Sequence, residues 1–201
     1  MNVQEACAAI DAARQALCPT APLVSTMSAM HAFDDLGVTA HRLDSVPLMG
    51  GASGLGLGIA LMKPDLPVIV VDGDASLLME LGSLVTVANA KPQRFVHILM
   101  HNNTQFSSIV NLPTAAAEPD CNFAGMAQSA GYPHVFEVHD LQELIRVLPQ
   151  LLTQTGASFV DLRVTPPPAR VGAHQAQPLL PDLQFQRMRA GVVSLKQTLS
   201  A

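Results

Sequence analysis

The 201-residue chain is predicted to be an α/β domain, a doubly wound, mostly parallel sheet with helices on both faces. Strand-like and helix-like segments alternate along nearly its whole length, which favours parallel pairing through helical crossovers. The clearest strands, residues 67–71 and 94–100, are continuous apolar runs of the kind buried on both faces. Composition agrees: hydrophobic residues make up 49% and charged ones only 13%, enough apolar surface for one sizeable core.

In chain order the pattern predicts a helix over 3–16, a strand over 23–26, a helix over 29–36 and a short extended piece near Arg42. A strand over 67–71 follows, then a helix from 77 to about 90, long enough for a right-handed crossover to the strand over 94–100. A loop rich in Ser, Thr and Pro leads to a helix over 121–130, a strand over 134–138, a helix over 141–153 with Asp140 as N-cap, and a strand over 158–164. Pro166-Pro167-Pro168 stops that strand, because proline removes a ladder donor. The expected division is a domain over 1–165 and a Pro-rich extension over 166–201 with one amphipathic helix, a docking arm rather than a second domain.

Several function classes recede on composition. A net charge of −5 with no basic cluster argues against nucleic acid. Cys7, Cys18 and Cys121 are odd in number and widely spaced, which suggests neither a disulfide framework nor a metal cluster. No apolar run reaches the roughly 18 residues of a membrane helix, and residues 1–20 lack the basic start of a signal peptide, so the cytoplasm is the expected location. The apolar excess points to subunit interfaces.

The chemistry concentrates in Val70-Val71-Asp72-Gly73-Asp74-Ala75-Ser76 and in Asn102-Asn103, with 26 residues between Ala75 and Asn102. The first strand delivers Gly73-Asp74-Ala75 to its carboxyl end, where open α/β sheets bind ligands. Gly73 and Ala75 are small enough for a phosphate to approach the backbone. Ser76 and the amides of the next turn can face a diphosphate at the positive end of a helix. Asp74 supplies a hard oxygen. Mg²⁺ takes one or two such protein ligands plus phosphate oxygens and water, so a second must come from a neighbouring strand end. Asn103, after the strand over 94–100, would meet Asp74 there. Turn-forming Asp and Asn would account for each residue singly, not for the combination.

A rival lies in Gly50-Gly51-Ala52-Ser53-Gly54-Leu55-Gly56, which looks like the nucleotide loop of short-chain dehydrogenases, with Asp72 as its acid. That chemistry needs a Tyr with Lys four residues later, and Tyr132 has Phe136 in that place. No strong strand precedes Gly50 either, since Ser45-Val46-Pro47-Leu48-Met49 is short and broken by proline.

The spacing resembles the thiamine diphosphate (ThDP) motif of the Gly-Asp-Gly to Asn-Asn type, with Ala75 in place of the final glycine. The resemblance implies Asp74, the Asn103 side chain and the Gln105 backbone carbonyl as Mg²⁺ ligands. The block from Met49 through Leu61 resembles that of phosphonopyruvate and sulfopyruvate decarboxylases. It implies Met49 as the apolar wedge that bends the cofactor, beside Gly50, with the Pro47 carbonyl accepting from the 4′-amino group. Pro47 replaces a family glycine.

The likeness to the cofactor-binding β subunit of two-chain sulfopyruvate decarboxylases covers about residues 1–165 and is clearest between Met49 and Pro113. It implies a 2-keto acid decarboxylase half-site needing a partner subunit, which would supply the pyrimidine-binding half and the catalytic glutamate. The assembly is expected to be a hetero-oligomer or a homodimer. None of Glu5, Glu80, Glu118, Glu137 and Glu143 suits that glutamate's role. Val110-Asn111-Leu112-Pro113-Thr114 stands where these decarboxylases tend to have Gly-Gly-Gln-Pro-Thr, and the turn from Thr26 to Phe33 lacks an expected Arg-Glu pair. Ser28 or His31 there could touch the diphosphate, although a surface histidine is the simpler reading. His101 occupies a position that is apolar in the family and reads as buried and hydrogen-bonded rather than as an acid or base. Alternatives are a non-catalytic assembly or regulatory module on the same fold and a nicotinamide oxidoreductase. A ferredoxin oxidoreductase β subunit would bring cluster cysteines, which this sequence lacks.

Overall fold

The computed structural model describes residues 1–46, 48–107, 109–115, 117–118, 120–169 and 184–200. Among them the chain runs α1 (Val3–Leu17), β1 (Leu23–Ser25), α2 (Met27–Asp35), β2 (Arg42–Asp44), α3 (Ala52–Met62), β3 (Val68–Gly73), α4 (Asp74–Met79) and α5 (Ser83–Ala90). It continues through β4 (Arg94–His101), β5 (Thr104–Gln105), β6 (Leu112–Pro113), α6 (Phe123–Ala130), β7 (His134–Val138), α7 (Leu141–Thr153), β8 (Gly156–Arg163) and α8 (Gln184–Ser200).

Six strands form one sheet in the order β2-β1-β3-β4-β8-β7, and every pairing in it is parallel. Helices cover both faces. On one, α1, α2 and α7 pack Ile10, Phe33, Leu144 and Leu148 onto Ile69, Ile98 and Val160. On the other, α3, α5, α6 and α8 pack Leu57, Leu84, Phe123 and Leu195 onto Val70, Phe95 and Phe159. β2 and β3 lie on opposite sides of β1, so strand order reverses there, the kind of crevice where open sheets take ligands at their carboxyl edge.

Local chemistry accounts for the element ends. Asn2 and Glu5 form a reciprocal capping box at the start of α1, and Asp140 accepts from the Glu143 amide at 2.9 Å to start α7. In the glycine-rich block, Gly56 brings α3 against the sheet: a Cβ there would lie 2.3 Å from Val70 Cγ2. The block is thus in part a close helix-on-strand packing surface.

The single helix expected over 77–90 is two. α4 begins at Asp74, three residues earlier than expected, and α5 restarts at Ser83. Glu80 leaves helical geometry at φ −135° and lies against Gly50, and Gly82, a weak helix former, follows before the second helix. The loop after Asn103 folds back as the short antiparallel pair β5–β6, with Gln105 opposite Leu112. α8 is the helix of the expected C-terminal extension and packs along edge strand β2, with Leu195 and Leu199 in the core and Arg187 paired to Asp34. Among the described residues no helix is long and apolar enough to cross a membrane.

Candidate active site at the ends of β3 and β4

β3 and β4 are neighbours in register, Gly73 beside Met100, so the residues just past their ends must meet. Asp74 is buried there. Its Oδ1 accepts from the Ala75 amide at 2.7 Å, and its Oδ2 accepts from the amides of Asn102 at 3.1 Å and Asn103 at 2.5 Å. The two expected ligand residues are therefore joined directly, acid to backbone. Burial pushes the Asp74 carboxyl above the ordinary range, against the pull of those three amides and of His101. Among the described residues Asp74 has no salt-bridge partner, and no group of three His, Cys, Asp or Glu is arranged to hold a metal.

Asn103 takes the left-handed conformation at φ +59°, which asparagine adopts more readily than most residues. The Asn102 side chain makes the turn that aims it, its Oδ1 accepting from the Thr104 amide and hydroxyl, each at 2.8 Å. Gln105 follows two residues on, half-buried in β5.

The second block docks onto the first. Gly50 sits at φ +86°, and its amide donates to Ser76 Oγ at 2.7 Å. A Cβ on Gly50 would come 2.5 Å from Glu80, so only glycine fits. Ser76 is buried and retains its hydroxyl proton to donate. Met49 precedes Gly50, half-buried in the loop before α3; Pro47 lies outside the described residues. Space is open at Gly73, where an added Cβ would meet nothing within 4 Å. Ser28 is half-buried in the first turn of α2, and His31 is exposed on the same helix.

Sequence reasoning missed a side-chain network beside Asn103. His101, the last residue of β4, is buried and hydrogen-bonded, as expected, yet its partners belong to the site. Nδ1 lies 2.7 Å from Asp161 Oδ1, and Nε2 lies 2.9 Å from Asn103 Oδ1. Asp120 accepts from Asn103 Nδ2 at 3.3 Å and from Arg163 Nη1 at 2.7 Å. Burial pulls the His101 imidazolium down, but the hydrogen bond and charge of Asp161 outweigh it and hold its pKa above the usual range. Arg163 holds the exposed Asp120 carboxyl low. The available signal was Asp161 itself, the one acid in the expected strand over 158–164.

Asp72 and Tyr132, on which a dehydrogenase reading would turn, point into the core. Asp72 Oδ1 accepts from the Gly73 amide at 2.8 Å and its Oδ2 faces His97, while the Tyr132 hydroxyl lies 3.4 Å from His97 Nδ1.

Phosphonopyruvate decarboxylase of Streptomyces hygroscopicus is 34% identical over 184 residues, 85% of this chain and 42% of that protein. The β subunit of sulfopyruvate decarboxylase from Methanocaldococcus jannaschii is 30% identical over 118 residues, 59% of this chain and 61% of that one. The chain thus spans less than half of the first relative and about three fifths of the second. Among solved structures, 2-oxoglutarate:ferredoxin oxidoreductase from Magnetococcus marinus superposes with a TM-score of 0.66 at 13% identity, covering 90% of this chain and 69% of that one. That likeness establishes the fold alone. Residues 26–162 match the family described as thiamine pyrophosphate enzyme, C-terminal TPP binding domain, and the chain belongs to that family.

Proposed function

We propose that this chain is the ThDP- and Mg²⁺-binding subunit of a heteromeric 2-keto acid decarboxylase of the sulfopyruvate or phosphonopyruvate type. The observation that carries the reading is Asp74, a buried acid without a salt-bridge partner among the described residues, joined to Asn103 across two strand ends. A buried carboxylate is costly unless a positive charge offsets it, and a dication provides that charge. The donors fit Mg²⁺: one carboxylate and one amide oxygen, with the Gln105 carbonyl two residues further on, are hard oxygens that leave positions for diphosphate. The open space at Gly73 fits a phosphate group.

When bound, ThDP would supply the electron sink for loss of CO₂ from a 2-keto acid. This chain's residues would bind and orient. Asp74, Asn103 and Gln105 would anchor the cation. Gly73, Ala75 and Ser76 would line the diphosphate, and Met49 with Gly50 would set the cofactor's bend from the adjoining loop. The Gly50–Ser76 hydrogen bond would keep the two blocks in one register. Preorganisation of this kind is the protein's share of catalysis.

Support for a partner comes from the glutamates. Glu5 and Glu143 cap helices, Glu80 packs against Gly50, and Glu118 and Glu137 are exposed, so none stands ready as a buried proton donor to the cofactor. The β-subunit relatives are named as one part of a larger enzyme. The test is native mass spectrometry of the complex isolated by tagging this chain in its own host. A second, different chain with ThDP and Mg²⁺ is the expected result. A homo-oligomer without ThDP, or one carrying a nicotinamide cofactor, would sink the proposal.

A further inference from the structure

Asp74 and Asn103 are held by different means. Backbone amides fix the Asp74 carboxylate, whereas the Asn103 side chain is held by other side chains. An amide has nearly the same shape either way round, so its partners decide which end carries the oxygen. A carboxylate can only accept, so the Nδ2 end belongs on Asp120 and Oδ1 faces His101 at 2.9 Å. His101 thus covers one side of that oxygen, and its other lone pair is left for a cation.

The imidazole is itself fixed. Nδ1 meets Asp161 at 2.7 Å, Phe123 packs edge-on with ring centroids 4.9 Å apart, and the side chain is buried throughout. Asp161 is 1% exposed and lies on β8, whose pairing with β4 sets Arg163 beside His101. Arg163 Nη1 is 3.4 Å from His101 Nε2, but its shorter contact, 2.7 Å, goes to Asp120. Thus a carboxylate on one strand fixes a ring on the next, and Nε2 of that ring meets the amide oxygen two residues beyond it.

We infer that Asp161 and His101 are a positioning pair that fixes the Asn103 amide with its oxygen available to the cation at the ends of β3 and β4. The inference rests on the function proposed above. Neither residue touches the cation; both act through Asn103. Supports of this kind typically change metal affinity by about 10 to 100-fold when removed.

Two substitutions separate the two ends of the ring. In His101→Asn the shorter amide reaches the place of Nδ1 and keeps a donor for Asp161, with nothing near Asn103. In His101→Gln the longer amide reaches the place of Nε2 and keeps the contact with Asn103. Each is introduced into the native complex, stripped of divalent cation. Mg²⁺ affinity is measured by calorimetric titration at saturating ThDP, with the melting temperature recorded alongside. His101→Asn is expected to weaken Mg²⁺ by about 10 to 100-fold and His101→Gln by about threefold or less, whichever melts lower. Equal affinities, or losses that follow melting temperature instead of the Asn103 contact, overturn the positioning pair. Asp74→Ala separates the two levels of failure. If it abolishes Mg²⁺ binding while His101→Asn does not weaken it, only the positioning pair falls. If the wild type takes up no Mg²⁺, or Asp74→Ala binds it equally well, the proposed function falls and the pair with it.

Discussion

β4 carries two histidines four residues apart on the same face, each beside an aspartate of a neighbouring strand, and the two pairs differ in almost everything else. His97 is enclosed by Phe95, Phe159 and Tyr132. Its Nε2 stands 3.5 Å from Asp72 Oδ2, and both atoms lack a hydrogen-bond partner among the described residues. His101 stands at the strand's last position, binds Asp161 at 2.7 Å and passes its other nitrogen to Asn103. A carboxylate beside an imidazole is therefore no sign of function by itself. What the second nitrogen reaches, and how near the carboxyl edge it lies, distinguishes a polar inclusion in the core from part of a site.

The sharpest way to break that distinction is to compare two aspartates separated by one residue. Asp74→Ala should weaken Mg²⁺-dependent ThDP binding by about 100-fold or more, beyond the loss expected from an indirect support. Asp72→Ala should leave affinity within about twofold, because its carboxylate faces the core. Calorimetric titration of both variants decides, and a matching loss at Asp72 would erase the contrast between core and edge. A smaller effect, on stability alone, belongs to His97→Ala. Removing that ring should cost roughly 2–4 kcal/mol in urea unfolding, from the cavity and from Asp72 left beside it, with cofactor affinity unchanged.

The mildest difference is one of thiol chemistry. Burial pushes the Cys7 thiol far up, while Cys121, beside Asp120, is half-buried and raised by partial burial together with Asp161 and Asp120. A raised pKa leaves less thiolate at any given pH, so both should react more slowly than a free thiol, and faster as pH rises. Alkylation of the native protein at pH 8.5, followed by peptide mass mapping, should label Cys121 and leave Cys7 unmodified until the fold is opened. Labelling of Cys7 first would contradict its full burial on the core face of α1.

What the sequence disclosed follows from the range of the forces involved. Strands β3, β4 and β8 were legible because runs such as Val68-Ile69-Val70-Val71 are buried on both faces and carry their burial in their composition. The meeting of Asp74 with Asn103 was legible because one crossover links their strands. The break between α4 and α5 was not, because its cause is Gly50 packing on Glu80 from 30 residues away. The supports of Asn103 were hidden for the same reason. Asp161 becomes His101's partner only when β8 inserts between β4 and β7, an order that no local pattern encodes.

That insertion bears on how the protein is made. His101 leaves the ribosome 60 residues before the carboxylate that orients it, an interval of about 3–12 s at ordinary rates of synthesis. During that interval the nascent chain already carries Asp74 and Asn103, but the Asn103 amide lacks the ring orientation supplied by β8. The half-site is therefore finished late, and a chain truncated before residue 156 would hold every cation ligand we assign to it without the strand that sets one of them.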